Sequence, residues 1–348
     1  MTPKYSREFI RRLRKLGIRH FDKQIHHQDK AWLVKNFSAG ADEYPVNVSL
    51  LIRNVVWQLR ERIISSEKPP LNELLRTFWY MYVKSTLSRA GSLSKKPDYQ
   101  YKQMIAIIVK MVKEYKLMRY FDIGFRDDNR AHRKVGLNAN ILLFSEKLGH
   151  QDFLSDIAAK YKISIIALGG KPSVLNIEYF VDSLKEKGIH LNRSFYLFSI
   201  VDFDSHGWIV RDSFIDDLKF YGVRNIKLVD LINPDMLTPE EIGISRYQIP
   251  QEKDDKITNE KWLKNVQKKN YRNMQELIDH KEIKGKRTAV IYGLEAESIS
   301  GKRIEKKLEE VMVPILGKKE DYLKTYELNK LDETIGKLIL HRIRGGSK

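Results

Sequence analysis

The residues of this chain best suited to chemistry are two aspartates one position apart, Asp202 and Asp204. They follow an apolar run that predicts a strand, and they precede a turn made by Ser205, His206 and Gly207. Side chains alternate along a strand, so residues two positions apart point to the same face of the sheet. Two carboxylates held that close repel each other unless a cation lies between them. The pair therefore indicates a Mg²⁺ site for work on phosphate groups.

The region around these aspartates predicts alternating strands and helices. The predicted strands are residues 141–144, 163–168, 195–201 and 225–229, and the helices between them are residues 151–162, 174–187 and 208–221. Such alternation is typical of a parallel sheet, in which ligands bind at the carboxyl ends of the strands. Glu146 follows the first strand and the two aspartates follow the third, so all three carboxylates can meet at one edge. The alternative is that they are ordinary surface acids at strand ends.

The choice of metal follows from the ligand types. Carboxylate oxygens without any cysteine favour Mg²⁺ over Zn²⁺. A bound Mg²⁺ can stabilise the charge of a reacting phosphate and of its leaving oxygen. The sequence therefore predicts Glu146, Asp202 and Asp204 as the metal ligands.

A second candidate pair, Arg76 and Tyr80, lies in a predicted helix that begins near Asn72. Residues four positions apart share a helix face. A tyrosine hydroxyl is a weak nucleophile, with an ordinary pKa of about 10, and a nearby guanidinium favours the phenolate and can bind the phosphate under attack. We interpret Tyr80 as a candidate nucleophile and rank Tyr82 behind it, because Tyr82 does not share the face of Arg76. The alternative is a core tyrosine with a solvated arginine.

The segment before the predicted sheet has the pattern of a small DNA-docking domain. Helical spacing occurs at residues 46–65, from residue 72 onward and at residues 101–116, and a charged, hairpin-like segment follows at residues 120–135. Three helices and a hairpin are typical of a winged helix-turn-helix. The candidate DNA-binding residues in the hairpin are Arg126, Arg130, Arg133 and Lys134.

The charge of the chain agrees with a polyanionic partner. Its 348 residues include 63 Lys and Arg against 45 Asp and Glu, a formal net charge of +18. Such an excess favours nucleic acid, with a solubilising surface as the alternative. Residues 1–45 are strongly basic, and we predict an arm that binds nucleic acid or docks a partner subunit, or else a mobile terminus.

The composition also bears on location. There is no cysteine, so a disulfide framework and thiolate metal sites are excluded. The N-terminus lacks an apolar signal core, and no apolar run approaches the length of a membrane span. We expect a cytoplasmic, nucleoid-associated protein without membrane contact.

Together these motifs resemble the A subunit of topoisomerase VI and its relative, the meiotic break-forming transesterase. Leu75-Arg-Thr-Phe-Trp-Tyr80 is similar to the Arg-acidic-aliphatic-aromatic-Tyr motif of that family, and Glu146 in Phe-Ser-Glu-Lys matches the Toprim glutamate. Gly169-Gly-Lys-Pro172 resembles the glycine-rich turn after the second strand, and Asp202-Phe-Asp-Ser-His-Gly-Trp208 resembles the Asp-x-Asp signature. Gly293-Leu-Glu-Ala-Glu297 resembles a late Leu-Glu-Ala segment.

The resemblance implies an α/β plus α fold with a definite domain order. A basic arm at residues 1–45 would precede a winged-helix (CAP-like) domain at residues 46–136, which bears the nucleophile. A Toprim parallel-sheet domain with a C-terminal extension would occupy residues 137–348. The implied activity is that of a type IIB DNA topoisomerase A subunit, in which Tyr80 forms a 5′-phosphotyrosyl bond and Arg76 stabilises the developing charge.

The resemblance also implies partners. Cutting both strands of double-stranded DNA needs two tyrosines, so a homodimer follows, with Tyr80 of one subunit acting at the metal site of the other. No Gly-x-x-x-x-Gly-Lys-Ser/Thr loop occurs in the sequence. ATP-driven strand passage would therefore need a separate ATPase B subunit of the GHKL type.

Several residues depart from the family pattern and leave two other functions open. Thr77 stands where an acidic residue is usual, and Phe203, Ser205 and His206 stand near the aspartates where Gly and Pro are usual. A Toprim nuclease subunit of a plasmid-defence complex would use a metal-bound water, with Tyr80 in the core. A non-catalytic DNA-binding homologue would have a decayed site, although the retained acids argue against it.

Overall fold

A computed structural model describes most of the chain. The described residues are 5–19, 24–40, 44–126, 131–169, 173–250, 253–283 and 286–316, with residues 335, 338, 339 and 342. The chain divides into two compact units, Met1–Asn129 with Val174–Tyr179 and Arg130–Ser173 with Phe180–Lys348.

The first unit is largely helical. Its helices are α1 (Arg7–Lys15), α2 (Lys30–Phe37), α3 (Val48–Ile64), α4 (Leu75–Phe78), α5 (Ser85–Arg89) and α6 (Pro97–Lys113), and a π-helix (Trp79–Lys84) joins α4 to α5. The side chains of Ser6, Asp29 and Asn47 each accept a hydrogen bond from the amide three residues on. These caps satisfy amides that have no partner within the helix, which explains why α1, α2 and α3 begin where they do.

The basic segment predicted as an arm is packed into this unit over its described residues. Leu13 and Ile25 are fully buried. The Asn54 side chain, on α3, donates to the Gly17 carbonyl at 3.0 Å and accepts from the Arg19 amide at 3.1 Å. The expectation of an arm or a mobile terminus was drawn from charge, whereas the apolar stripe of α1 decides the packing of these residues.

The prediction of a charged hairpin at residues 120–135 is wrong. Strand β2 (Phe125–Arg126) pairs in parallel with strand β1 (Glu73–Leu74), while β3 (Ala131–Lys134) pairs antiparallel with β5 (Ile163–Leu168) of the second unit. Each half of the segment thus has a distant strand as its partner. Alternation of charge along the segment could not distinguish these long-range pairings from a local turn.

The second unit contains a five-stranded mixed sheet in the order β3, β5, β4, β6 and β7. The remaining strands are β4 (Asn138–Ser145), β6 (Phe195–Ile200) and β7 (Ile226–Asp230), and the connecting helices are α7 (Gln151–Tyr161), α8 (Val174–Glu186) and α9 (Ser205–Phe220). All pairs are parallel except β3 with β5. Every residue of β5 is buried, as expected of a strand covered on both faces. The predicted α/β class is confirmed.

A second, antiparallel sheet in the same unit has the order β8, β10 and β9. Its strands are β8 (Arg246–Gln248), β9 (Ile278–Ile283) and β10 (Lys286–Leu294), and the helices around it are α10 (Pro239–Ser245), α11 (Lys253–Gln267) and α12 (Gly301–Leu316). Leu294 forms an isolated bridge with Phe203, with N–O distances of 2.8 and 3.3 Å. This bridge attaches the end of β10 to the loop that carries the two aspartates.

Short 3-10 turns complete the described structure, at Ile25–His27, Leu148–His150, Pro234–Met236, Met274–Leu277 and Ala296–Ser298. Among the helices in the described part of the chain, none combines the length and the apolar character that crossing a membrane requires.

Candidate active site

Glu146 and Asp202 lie side by side at the carboxyl edge of the main sheet. Strands β4 and β6 are neighbours, with Ser145 paired to Ile200, so the residues that follow them emerge together. The Asp202 amide donates to Glu146 Oε1 at 3.1 Å. Glu146 is only 9% exposed, and burial raises the pKa of its carboxyl to about 7, with the charge of Asp202 acting in the same direction.

The Asp202 carboxylate contacts donors from two other parts of the unit. Its Oδ1 accepts a hydrogen bond from the Ala296 amide at 2.7 Å and lies 3.1 Å from Lys147 Nζ. The Lys147 ammonium also pairs with Glu297. Lys147 and residues 293–297 lie in motifs that carry the family resemblance. Their contacts with Asp202 were not predicted from the sequence.

Asp204 begins helix α9. Its Oδ1 accepts from the Gly207 amide at 2.6 Å, which caps the helix, and its Oδ2 accepts from the Tyr247 hydroxyl at 2.5 Å. Gly207 has a steric role here, since a Cβ on it would lie 2.2 Å from the Asp202 carbonyl oxygen. The glycine of the Asp-x-Asp signature thus lets the first turn of the helix pass close to the aspartate loop.

Tyr247 is a site residue that sequence analysis missed. It lies on β8 directly opposite Gly293 of β10, and the lack of a side chain at Gly293 leaves room for the phenol ring to reach Asp204. Burial and the nearby Asp204 charge raise the pKa of the Tyr247 hydroxyl, which keeps it a donor. Strand β8 is not among the strands predicted from the sequence, and only the strand register reveals this contact.

The unusual residues beside the aspartates have structural partners. Phe203 is buried, and its ring centroid lies 5.5 Å from that of Trp262 and 5.7 Å from that of Tyr271. Ser205 is also buried and its Oγ donates to Asn259 Oδ1 at 2.5 Å, whereas His206 is exposed. These departures from the family pattern fit the packing of α11 against this loop, which ties the loop to a helix outside the main sheet.

The three predicted metal ligands are neighbours, but their oxygens do not converge. Among the residues that the structure describes, no group of three or more His, Cys, Asp or Glu side chains is arranged to hold a metal. Asp202 faces Lys147 and Ala296, and Asp204 faces Tyr247 and its own helix terminus. The oxygen donors are of the type that Mg²⁺ prefers, and an ion held by all three acids would need the aspartate oxygens that face Lys147 and Tyr247.

The second candidate pair lies in the first unit. Tyr80 is 48% exposed, and Arg76 Nη2 lies 3.4 Å from the Tyr80 hydroxyl. Lys84 Nζ lies 4.8 Å from the centre of the Tyr80 ring, and Arg76 forms a 2.8 Å ion pair with Asp98. The hydrogen bond with Asp98 raises the pKa of the Arg76 guanidinium further. Tyr80 is therefore an accessible phenol with cations on either side.

Tyr80 lies within the π-helix, a conformation that occurs often at functional sites. Its rival Tyr82 is only 6% exposed and stacks on Phe78, with 5.4 Å between ring centroids. The Tyr82 hydroxyl accepts a hydrogen bond from Lys68. The structure thus places Tyr80 at the surface and Tyr82 in the core.

The predicted DNA-binding residues do not form one hairpin. Arg126 is exposed at the end of β2 in the first unit, while Arg133 and Lys134 lie on edge strand β3 of the second unit. Arg130 falls outside the described residues, as do Gly170, Lys171 and Pro172 of the glycine-rich turn. A common DNA-binding surface for these cations stays a prediction.

No protein-family model matches the sequence, and comparison with curated proteins finds no match.

Proposed function

We propose that this chain is a Mg²⁺-dependent enzyme that cleaves and rejoins DNA, similar to the A subunit of type IIB topoisomerases. In this proposal the helical first unit is a winged-helix-type docking domain without the hairpin predicted at residues 120–135, and the second unit is a Toprim domain. The protein acts as a homodimer on double-stranded DNA, because two strands require two tyrosines. ATP hydrolysis belongs to a separate subunit of the GHKL type.

The observation that carries the proposal is the contact between Glu146 and Asp202. These two acids are 56 positions apart in the chain, yet they are neighbours at the ends of adjacent parallel strands, where the Asp202 amide nitrogen lies 3.1 Å from Glu146 Oε1. Asp204 follows two residues later and is buried. Three acids close to one strand edge, two of them buried, favour a positive charge nearby, which supports a role for a cation at this place.

The metal would be held by Glu146, Asp202 and Asp204. Bound Mg²⁺ supplies charge stabilisation to the reacting phosphate and its leaving oxygen. Backbone amides orient all three acids. The Asp202 amide donates to Glu146, the Ala296 amide donates to Asp202, and the Gly207 amide donates to Asp204. These hydrogen bonds hold the three acids at one sheet edge, while the aspartate oxygens also contact Lys147 and Tyr247.

In the cleavage step, the Tyr80 oxygen attacks a backbone phosphorus and loses its proton. A bond forms between that oxygen and the 5′-phosphate, and the 3′-oxygen leaves and takes up a proton. Arg76 donates hydrogen bonds to the phosphate oxygens, as guanidinium groups do to phosphates. Rejoining is the reverse of this step. The net positive charge of +18 favours binding of the duplex backbone with little sequence preference.

The test is cleavage of supercoiled plasmid with Mg²⁺, stopped with detergent and analysed with and without protease. The native protein should leave DNA that enters the gel as cut product only after protease treatment. Tyr80→Phe should abolish both the cut product and the covalent adduct. Tyr99→Phe, which alters another exposed tyrosine of the same unit, should behave like the native protein.

Two other outcomes distinguish the alternatives. If the protein cleaves DNA without forming an adduct, and Tyr80→Phe still cleaves, the protein is a nuclease that uses water. DNA binding without any cleavage by the native protein would show a non-catalytic homologue. Asp204→Asn should abolish cleavage while sparing DNA binding, and unchanged cleavage would remove the metal site from the proposal.

A further inference from the structure

Lys147 places a positive charge inside the acidic site. It directly follows Glu146, and its ammonium lies 3.1 Å from Asp202 Oδ1 while it also pairs with Glu297. The Lys147 and Asp202 side chains are largely buried, at 26% and 19% exposed, whereas Glu297 is half exposed. An ammonium in this position neutralises the carboxylate that a divalent cation would need.

Backbone contacts fix the positions of the groups around Lys147. The Ala296 amide donates to the same Asp202 oxygen at 2.7 Å, and Ala296 begins the 3-10 turn that carries Glu297. The bridge between Phe203 and Leu294 attaches this turn to the aspartate loop. Lys147 therefore has two carboxylate partners whose positions are set by one short segment.

We propose that Lys147 is an internal counter-ion of the acidic site that competes with a divalent cation for Asp202, and that Glu297 retains the ammonium when the cation binds. This inference rests on the proposed function, since it concerns the same metal site. Two cations in contact with one carboxylate repel each other strongly in a partly buried setting. The long, flexible lysine side chain lets the ammonium move from Asp202 toward Glu297, so that the ammonium keeps one carboxylate partner.

Lys147 should therefore raise the stability of the fold without metal and lower the affinity of the site for metal. Without metal, the ammonium stabilises the fold by pairing with Asp202 and Glu297. With metal, it weakens binding, because the ammonium must be displaced first. Lys147 thus sets the Mg²⁺ concentration at which the site fills.

The experiment measures Mg²⁺ affinity of the full chain by calorimetry, and its melting temperature in EDTA and in Mg²⁺. Lys147→Met should bind Mg²⁺ about ten-fold more tightly than the native protein. It should also melt at a lower temperature in EDTA but gain more from added Mg²⁺. Lys147→Arg keeps a competing cation and should bind no more tightly than the native protein. Lys160→Met, which removes a lysine paired with Glu305 and Glu309, is the matched control and should leave the affinity unchanged.

The part played by Glu297 is tested by a double-mutant cycle. Glu297→Gln should weaken Mg²⁺ binding more in the native background than in Lys147→Met, because Glu297 acts by holding Lys147. Equal effects in both backgrounds would remove Glu297 from the proposal.

The failures are distinguishable. Mg²⁺ binding by the native protein with equal or weaker binding by Lys147→Met would overturn the competition and leave the proposed function standing. Loss of stability in Lys147→Met that is the same with and without Mg²⁺ would show a purely structural lysine. No Mg²⁺ binding by any variant would overturn both this inference and the metal site of the proposed function.

Discussion

The Asp202 amide donates a hydrogen bond to Glu146 Oε1 at 3.1 Å, across the ends of two neighbouring parallel strands. The backbone of one acid thus holds the side chain of the other. This arrangement places Glu146 beside the Asp202 carboxylate in a buried setting, where a proton or a cation must offset the charge. Burial thus raises the pKa of the Glu146 carboxyl to about 7 when no metal is bound.

The buried Glu146 carboxyl should make the fold less stable at higher pH in EDTA. Its pKa is about 7 in the folded protein against an ordinary 4.5, so the folded state binds the proton more tightly than the unfolded chain does. The free energy of unfolding should fall as the pH rises through this window, by up to about 3 kcal/mol. Urea titrations of the native protein and of Glu146→Gln between about pH 4.5 and pH 7 measure the difference.

The Glu146→Gln protein should lack this pH slope, because an amide does not titrate. Glu240→Gln, which changes an exposed carboxylate of α10, should keep the slope of the native protein. A native slope in Glu146→Gln would show that another group is responsible.

Gly293→Ala should destabilise the second unit. A Cβ at this position would lie 3.0 Å from the Tyr247 ring and hydroxyl and 3.1 Å from Asp204 Cβ. Forcing these groups apart should cost about 1–3 kcal/mol of unfolding free energy. The control is Gly243→Ala in α10, where nothing among the described residues lies within 4 Å of the added Cβ, and its effect should be neutral or stabilising by up to about 1 kcal/mol. Equal melting temperatures for the two variants would contradict the close packing of Tyr247 against Asp204.

Asp98→Asn should strengthen DNA binding by releasing Arg76. The two side chains form a 2.8 Å ion pair, and both are exposed, so losing it should change stability by less than about 1 kcal/mol. A free guanidinium beside Tyr80 should raise the affinity for a DNA duplex about two- to ten-fold at low salt. Fluorescence anisotropy with a labelled duplex measures this. Glu67→Gln, which frees Arg62 in the same unit, serves as the comparison, and equal affinities would place Arg76 outside the DNA contact.

Asp230→Asn should destabilise the protein strongly. Asp230 ends strand β7 and accepts two hydrogen bonds from Arg211 at 2.8 and 2.9 Å, and both side chains are buried. Removing this buried partner leaves a buried arginine whose remaining described carboxylate partner, Asp212, is exposed, at a cost of about 3–5 kcal/mol. Asp212 pairs with the same arginine but is exposed, so Asp212→Asn should cost less than about 1 kcal/mol. Chemical denaturation of the two variants gives the comparison, and similar midpoints would mean that Arg211 does not depend on Asp230.

Much of the second unit could be predicted from local patterns. The four strands of the parallel region and the helices between them match the observed β4 to β7 and α7 to α9, because buried strands and amphipathic helices have different apolar periods. The meeting of Glu146 with Asp202 follows from the same pattern, since parallel strands present their carboxyl ends at one edge. Arg76 and Tyr80 are also neighbours, as their four-residue spacing predicted.

Other features depended on contacts between distant residues. The hairpin at residues 120–135 was wrong because β2 and β3 each pair with a remote strand, and no local period encodes the identity of a partner. The packing of α1 onto α3 was hidden by its charge.

Residue type and period act locally along each element, so the sequence was enough to place the three acids at the sheet edge and to put Tyr80, but not Tyr82, on the helix face of Arg76. The tertiary structure alone decided what those acids contact. Lys147 reaches Asp202, and Tyr247 reaches Asp204 through the space left by Gly293, because strand register and the end of β10 bring them there. Such contacts arise only when separate elements pack, so they leave no mark in the spacing of any one segment.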